Sequence, residues 1–114
     1  MPSESERARI VLSTLPDVAR ATALAHALVA RRLVACVNVI GGVTSVYRWR
    51  GVVEESQEAL LVMKTDERRI AELEQVLREL HPYDVPEFVV LAAEHVEAQY
   101  GRWLIEETAP DAGA

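Results

Sequence analysis

The sequence predicts an α+β fold in which two helices pack on one face of a four-stranded antiparallel sheet. Segments with strand and helix patterns alternate in the order β-α-β-β-α-β, which is a split βαβ pattern. Right-handed crossover connections place both helices on the same face of such a sheet. The chain has 114 residues, of which 50% are hydrophobic, and this is enough for one domain with a core of its own.

Each element of this pattern has a separate signal in the sequence. The predicted strands, rich in apolar and β-branched residues, cover residues 10–12, 33–49, 52–64 and 88–93. The predicted helices, with apolar residues at intervals of three and four, cover residues 18–32, 66–80 and 96–108. Gly51 marks the turn of a long hairpin between the second and third strands. Pro82 and Pro86 exclude further helix before the fourth strand.

Together these elements predict a single ferredoxin-like domain over residues 8–108, with flexible termini at residues 1–7 and 109–114. The apolar stripe of the second main helix includes Leu80 and should be buried. The anchoring side chains of the short C-terminal helix should be Tyr100, Trp103 and Leu104.

The predicted strands are apolar on both of their faces. An antiparallel sheet with one face in water should alternate apolar and polar residues, whereas all four strands contain continuous apolar runs. The chain has no spare element that is large enough to cover the second face, so another copy of the protein is the expected cover. The long segment at residues 34–48 would overhang a small sheet and also needs a neighbour. Self-association is therefore predicted, but the number of subunits stays open.

Composition excludes several classes of partner. The net charge of −6 has the wrong sign for a nucleic-acid binder and disfavours an anionic membrane surface. No apolar run approaches the ~20 residues that a membrane-spanning helix needs. The first seven residues are polar and acidic, which is not the pattern of a signal peptide. With a single cysteine, Cys36, the chain has no intrachain disulfide, and a cytoplasmic location is expected.

Several short motifs follow one another over nearly the whole predicted domain. They are Ala35-Cys36-Val37-Asn38, Gly42-Val43-Thr44-Ser45-Val46-Tyr47, Trp49 with Gly51, Lys64-Thr65, His81-Pro82-Tyr83-Asp84-Val85-Pro86-Glu87, and Tyr100 with Trp103-Leu104. In content, order and spacing they resemble the CutA family of divalent-cation tolerance proteins. The resemblance implies a homotrimer whose sheets pack against one another and whose function concerns tolerance to divalent metals.

The resemblance also implies a metal ligand. Copper binding is described for some members of this family, and those members carry a cysteine and a histidine at the positions that Ser13 and Leu80 hold here. Of these possible ligands, only His81, which follows Leu80 and begins the His-Pro-Tyr motif, has a counterpart in those members. The resemblance therefore implies weak binding of a divalent cation such as copper through His81, with no cofactor required. The alternative for His81 is a structural role at the helix end.

A second candidate group consists of Lys64, Tyr83 and Glu87. Lys64 is the only lysine beside eleven arginines, and it ends the third predicted strand. With Tyr83 and Glu87 it is predicted to meet at a sheet edge near a subunit boundary. Three interpretations stay open, namely an interface salt bridge, a binding pocket for a small anion or metal complex, and a catalytic site.

Two further residues have structural interpretations. Cys36 is expected to be a buried structural thiol, since buried cysteines are usually inert. Trp49 lies between Arg48 and Arg50 at the hairpin tip, where interfacial packing is expected and a cation–π contact is the alternative.

Three functions remain in order of preference. The first is a metal-response protein, and the second is a small-molecule sensor resembling the trimeric PII proteins, with ligand clefts between subunits. The third is an enzyme using Lys64, Tyr83 and Glu87. The sequence has no Gly-rich phosphate loop, no paired cysteines and no nucleophile with an orienting base, so no enzymatic activity is predicted.

Overall fold

A computed structural model describes residues 7–110 of the chain. Within these residues it has four strands, β1 (Ala8–Leu15), β2 (Cys36–Trp49), β3 (Val52–Asp66) and β4 (Val89–Ala92), and three α-helices, α1 (Val18–Ala30), α2 (Ile70–Leu80) and α3 (Ala98–Glu107). The strands form one antiparallel sheet in the order β2-β3-β1-β4. The predicted ferredoxin-like α+β fold is confirmed. Of the termini predicted to be flexible, residues 1–6 and 111–114 lie outside the described residues.

Short-range hydrogen bonds and backbone angles fix where the elements begin. The Asp17 carboxylate caps α1 by accepting a hydrogen bond from the backbone N–H of Arg20 at 2.7 Å. The side chain of Asp66 caps the short 3-10 turn that leads into α2 in the same way. At the hairpin tip, Arg50 and Gly51 have φ angles of 51° and 82°, the left-handed pair that suits a tight two-residue turn.

The hydrophobic core lies between the sheet and helices α1 and α2. It is formed by alternate residues of the strands together with one stripe of each helix: Val11, Leu15, Ala21, Leu24, Leu28, Leu33, Val34, Ala59, Leu61, Met63, Leu73, Val76 and Leu77. Both helices thus cover the same face, as the right-handed crossovers require. None of the helices within residues 7–110 is long and apolar enough to cross a membrane.

Three apolar side chains that the sequence places in the interior are substantially exposed. Leu80 lies on the last turn of α2, on the rim of a shallow groove beside α1. Tyr100 and Trp103 of α3 stack on each other, with ring centroids 5.3 Å apart, and face outward. In α3 the buried residues are Gly101 and Leu104. The anchoring prediction is correct for Leu104 and wrong for the two aromatic residues.

The face of the sheet opposite the helices is apolar and has no cover within residues 7–110. Cross-strand pairs such as Ile10 with Leu91 and Ile40 with Leu60 bring side chains of neighbouring strands together there. We call this surface the helix-free face; its apolar members are Ile10, Leu12, Ile40, Leu60, Val62, Val89 and Leu91. They are exposed or only partly buried, in contrast to their fully buried neighbours in the strands.

The β2–β3 hairpin extends well beyond the rest of the sheet. β1 pairs with β3 only over residues 59–66, so residues 43–58 form a two-stranded extension, here called the hairpin arm. A break in register between Ile40 and Val43 separates the arm from the sheet. The arm exposes large apolar side chains, among them Val46 at 67% and Val53 at 61%. Exposed apolar surfaces of this kind commonly mark interaction sites, and self-association through the arm stays a prediction.

Candidate functional site: an acidic cleft beside the hairpin arm

The hairpin arm and the loop between α2 and β4 form the walls of a cleft of about 890 Å³. Glu58 of the arm lies on the same side of β3 as Leu60, so the cleft opens on the helix-free face. Its acidic lining residues are Glu54, Glu58, Asp84 and Glu87, and its aromatic ones are Tyr47, Trp49 and Tyr83. Among the described residues that line it there is no lysine, arginine or histidine. The lining carboxylates make the cleft suited to a cation, although the positive charge of Arg20, outside the lining, also acts on the Tyr83 phenol.

A hydrogen bond ties the loop to the arm across this cleft. The phenol of Tyr83 donates to Oε2 of Glu58 at 2.7 Å. Burial raises the pKa of the Tyr83 phenol, and the hydrogen bond and negative charge of Glu58 raise it further. Tyr83 therefore stays protonated at neutral pH and orients one oxygen of Glu58, which leaves the other oxygen for a ligand.

The second carboxylate of the site belongs to the same loop. Glu87 is partly buried, and its pKa is raised first by that burial and then by the negative charge of Glu58. The second effect is the repulsion between two carboxylates that line the same cleft. A bound cation would relieve this repulsion.

His81 connects the loop between α2 and β4 to the end of β1 through hydrogen bonds. Its Nε2 lies 2.8 Å from the backbone carbonyl oxygen of Thr14, and its Nδ1 accepts a hydrogen bond from the backbone N–H of Tyr83 at 3.1 Å. Because a carbonyl oxygen can only accept, Nε2 carries the proton and the ring is neutral. Burial lowers the pKa of His81, although the hydrogen bond to Thr14 and the charge of Glu58 act in the opposite direction.

These contacts give His81 a positioning role. Both ring nitrogens are engaged, so a metal ion could bind His81 only after one hydrogen bond had broken. Within residues 7–110 no group of three or more His, Cys, Asp or Glu side chains is arranged to hold a metal. The hydrogen bonds thus favour the structural interpretation of His81, and metal ligation by this residue stays a prediction.

Lys64 does not join Tyr83 and Glu87 within one subunit. It lies on the helix-free face, opposite Cys36 in β2 and Ile10 in β1. Six residues of β3 separate it from Glu58, which corresponds to roughly 20 Å along the strand. Its side chain makes no hydrogen bond or ion pair with the part of the chain that the structure describes. The predicted group of three therefore divides into a pair at the cleft and a separate lysine.

The remaining candidate residues lie near the cleft or on the same face. Cys36 is partly buried and lies on the helix-free face rather than in the core, so a buried structural thiol stays a prediction that depends on a cover for that face. The guanidinium of Arg50 lies 5.4 Å from the ring centroid of Trp49, which is the cation–π contact. Trp49 itself lines the cleft.

Sequence reasoning missed Glu58, the residue that joins the two halves of the site. A signal was present, because Glu54, Ser56 and Glu58 alternate along one face of a strand whose continuation is apolar. Such a change from polar to apolar on one strand face marks where a buried surface gives way to a polar site.

Comparison with known proteins identifies relatives over most of the chain. A family model described as CutA1 divalent ion tolerance protein matches residues 9–107. The chain is 46% identical over 99 residues to the divalent-cation tolerance protein CutA of Thermus thermophilus, covering 87% of this chain and 96% of that protein.

Two solved structures extend the comparison. The divalent cation tolerance protein (Cut A1) from Thermus thermophilus superposes with a TM-score of 0.87 at 44% identity, covering 90% of this chain and 99% of that one. The CutA1 structure from Oryza sativa gives a TM-score of 0.90 at 33% identity, with 96% and 100% covered.

Proposed function

Since the chain belongs to the CutA1 divalent ion tolerance protein family, we propose that it acts in divalent-cation tolerance by binding divalent cations weakly at the acidic cleft. We further propose that it works as a homotrimer in the cytoplasm. The observation that carries the binding site is the pair of carboxylates, Glu58 and Glu87, that line one cleft without a basic lining residue among those described.

The chemistry of the cleft decides which cations fit. Carboxylate oxygens are hard ligands that suit Mg²⁺, Mn²⁺ and Ca²⁺. Glu58 and Glu87 supply two ligands, and water would have to supply the rest, so the affinity should be low. Copper prefers imidazole or thiolate, and among the described residues His81 is the only such group beside the cleft. This favours hard cations over copper as ligands.

Calorimetric titration with Mn²⁺ tests the site. Glu58→Gln and Glu87→Gln should each weaken Mn²⁺ binding at least several-fold, because each removes one anionic ligand. Glu74→Gln is the matched control, since Glu74 is an exposed carboxylate on α2 away from the cleft. Unchanged affinity in both cleft variants would overturn the proposal. Affinity should also decline as pH falls, because Glu87 has a raised pKa and binds a cation only when ionised.

Self-association rests on the helix-free face and the exposed hairpin arm. Val62→Glu would bury a charge if a second copy covers that face, and it should dissociate the oligomer or prevent folding. Val29→Glu is the matched control, because Val29 is exposed on α1, away from that face. Light scattering measures the outcome. A folded wild-type monomer at micromolar concentration would contradict the proposal.

A second candidate is a small-molecule sensor with clefts between subunits, as in the PII proteins. The favourable observation is that three aromatic rings line the cleft, which metal binding does not require. A thermal-shift screen separates the two candidates, since a ligand that binds the native state raises its melting temperature. The enzyme alternative has less support, because a single chain does not bring Lys64 to Tyr83 and Glu87, no nucleophile with an orienting base accompanies them among the described lining residues, and the relatives are named tolerance proteins.

A further inference from the structure

One face of the molecule carries opposite charges at its two ends. The cleft at the hairpin arm presents four carboxylates and no base from its described lining residues. Lys64, the only lysine of the chain, lies on the same face toward the other end of β3. Among residues 7–110 its ammonium has no hydrogen-bond or ion-pair partner. Between the two ends lies the apolar surface that includes Leu60 and Val62.

These charges cannot meet within one chain. Glu58 and Lys64 are separated by roughly 20 Å of rigid strand, while a lysine side chain reaches about 6 Å from its Cα. Lys64 is only partly buried in the single chain, but a second copy on this face would bury its ammonium, which is unfavourable without an anionic partner. Carboxylates that line one cleft repel one another, and a cation relieves that repulsion. Each end therefore lacks what the other end supplies.

A second copy of the same chain satisfies both ends at once. The apolar helix-free face needs a cover, and that face is complementary to itself when the Lys64 end of one copy lies against the hairpin arm of another. In a symmetric pair each copy gives a lysine and receives one, and in a closed ring each copy gives to the next. The pairing therefore does not depend on the number of subunits.

We propose that Lys64 of a second copy places its ammonium in the acidic cleft, between Glu58 and Glu87, and that divalent cations compete with it there. Lysine suits this role because its ammonium is a compact point charge that can withdraw on a flexible stem, unlike a planar guanidinium. The competition rests on the function proposed above. The ion pair between copies rests only on self-association.

A double-mutant cycle measures the ion pair. Lys64→Met and Glu58→Gln should each lower the melting temperature, and the double variant should fall by less than the sum of the two single shifts. Sites that lie more than about 7–10 Å apart usually contribute additively, so a non-additive result requires contact between copies. Lys64→Met combined with Glu74→Gln is the control pair and should be additive. Additive shifts in the Lys64–Glu58 cycle would overturn the proposal.

Cross-linking gives a second readout that does not depend on stability. In a Cys36→Ser background, chains carrying Lys64→Cys are mixed and reassembled with longer, tagged chains carrying Glu87→Cys. A disulfide needs Cα atoms within about 7 Å, which is less than a lysine–glutamate ion pair spans, so a bismaleimide that reaches farther is used instead of oxidation. It should give a covalent mixed dimer of intermediate length on a denaturing gel, and a control mixture with Glu74→Cys in place of Glu87→Cys should not give that dimer. Absence of the mixed dimer while the oligomer is intact refutes the proposed contact.

Mn²⁺ titration separates failure of this inference from failure of the proposed function. If both hold, Lys64→Met tightens Mn²⁺ binding several-fold and Glu58→Gln weakens it. If Glu58→Gln weakens binding but Lys64→Met leaves it unchanged, the cation site stands and the competition is wrong. If neither variant changes binding while the cycle is non-additive, the ion pair stands and the proposed cation site is wrong.

Discussion

Replacing His81 by alanine should destabilise the folded protein at neutral pH and remove part of its sensitivity to acid. The imidazole is 7% exposed and links the end of β1 to the loop through Thr14 and Tyr83. Alanine removes both hydrogen bonds and leaves a carbonyl oxygen and an N–H without their partner. A buried group left unsatisfied costs about 1–3 kcal/mol, and the cavity adds to this. Water can replace one partner, so we expect a total loss of about 2–4 kcal/mol.

The pH dependence follows from the direction of the pKa shift. Burial holds the pKa of His81 below its ordinary value in the folded protein. Below about pH 6.5 the unfolded chain therefore binds a proton that the folded protein does not bind. Stability falls as the pH is lowered from about 6.5 until the folded pKa is reached. Protonated Nδ1 could no longer accept the hydrogen bond from the backbone N–H of Tyr83, and the two N–H groups would then repel each other.

Guanidine denaturation followed by circular dichroism, at one fixed subunit concentration, measures both effects. The free energy of unfolding of the wild type should decrease between about pH 7.5 and about pH 5.5, an interval that spans the ordinary histidine pKa. His81→Ala should have a lower free energy of unfolding at about pH 7.5 and a smaller decrease toward about pH 5.5. His95→Gln is the control, because His95 is exposed, and it should keep the wild-type pH difference. Equal pH differences in wild type and His81→Ala would refute this account of His81.

Three further substitutions test the fold in the same denaturation assay. Asp66→Asn should lower the free energy of unfolding by about 2 kcal/mol at neutral pH, because the buried Asp66 carboxylate accepts charged hydrogen bonds from the partly exposed Arg68. Burial raises the pKa of Asp66, but its arginine contacts lower it overall, so this stabilisation is lost only below about pH 4. Ser13→Ala should raise the free energy of unfolding by about 1 kcal/mol, because the buried Oγ of Ser13 has no hydrogen-bond partner among the described residues. Gly41→Ala should cost about 1 kcal/mol, since its Cβ would lie 2.7 Å from Cγ2 of Val18, and Val18→Ala should restore the loss.

The fold was predictable because each element has its own hydrophobic pattern, whereas the ends of the elements were not. The sequence predicts β1 at residues 10–12, but the strand extends over Ala8–Leu15. Ser13 and Thr14 are polar, yet they continue the ladder opposite Leu61 and Leu60. Pairing with a long partner strand decides where a strand ends, and a single polar residue does not reveal that pairing.

The candidate site was predictable only in part, for a geometric reason. Tyr83 and Glu87 belong to one short loop that contains two prolines, so their proximity follows from the sequence. The sequence groups Lys64 with them on the premise that the ends of the third and fourth strands meet at one edge. β3 runs antiparallel to β1, so Lys64 lies at the start of β1, while the loop lies at its end beside Thr14. Register, which the sequence does not show, separates them.

The same geometry links assembly to cation binding. The cleft opens on the helix-free face, whose apolar part is the proposed contact with a second copy, so a cation in the cleft and a neighbour on that face would meet at one surface. If Lys64 of the neighbour occupies the cleft, each bound cation must displace an ammonium, and linkage requires that cations weaken assembly by the same factor by which assembly weakens cation binding. Without Lys64 this antagonism should vanish, and cation and neighbour should bind independently. Light scattering of wild type and Lys64→Met across a Mn²⁺ titration therefore distinguishes a cleft that senses cations through assembly from one that merely binds them.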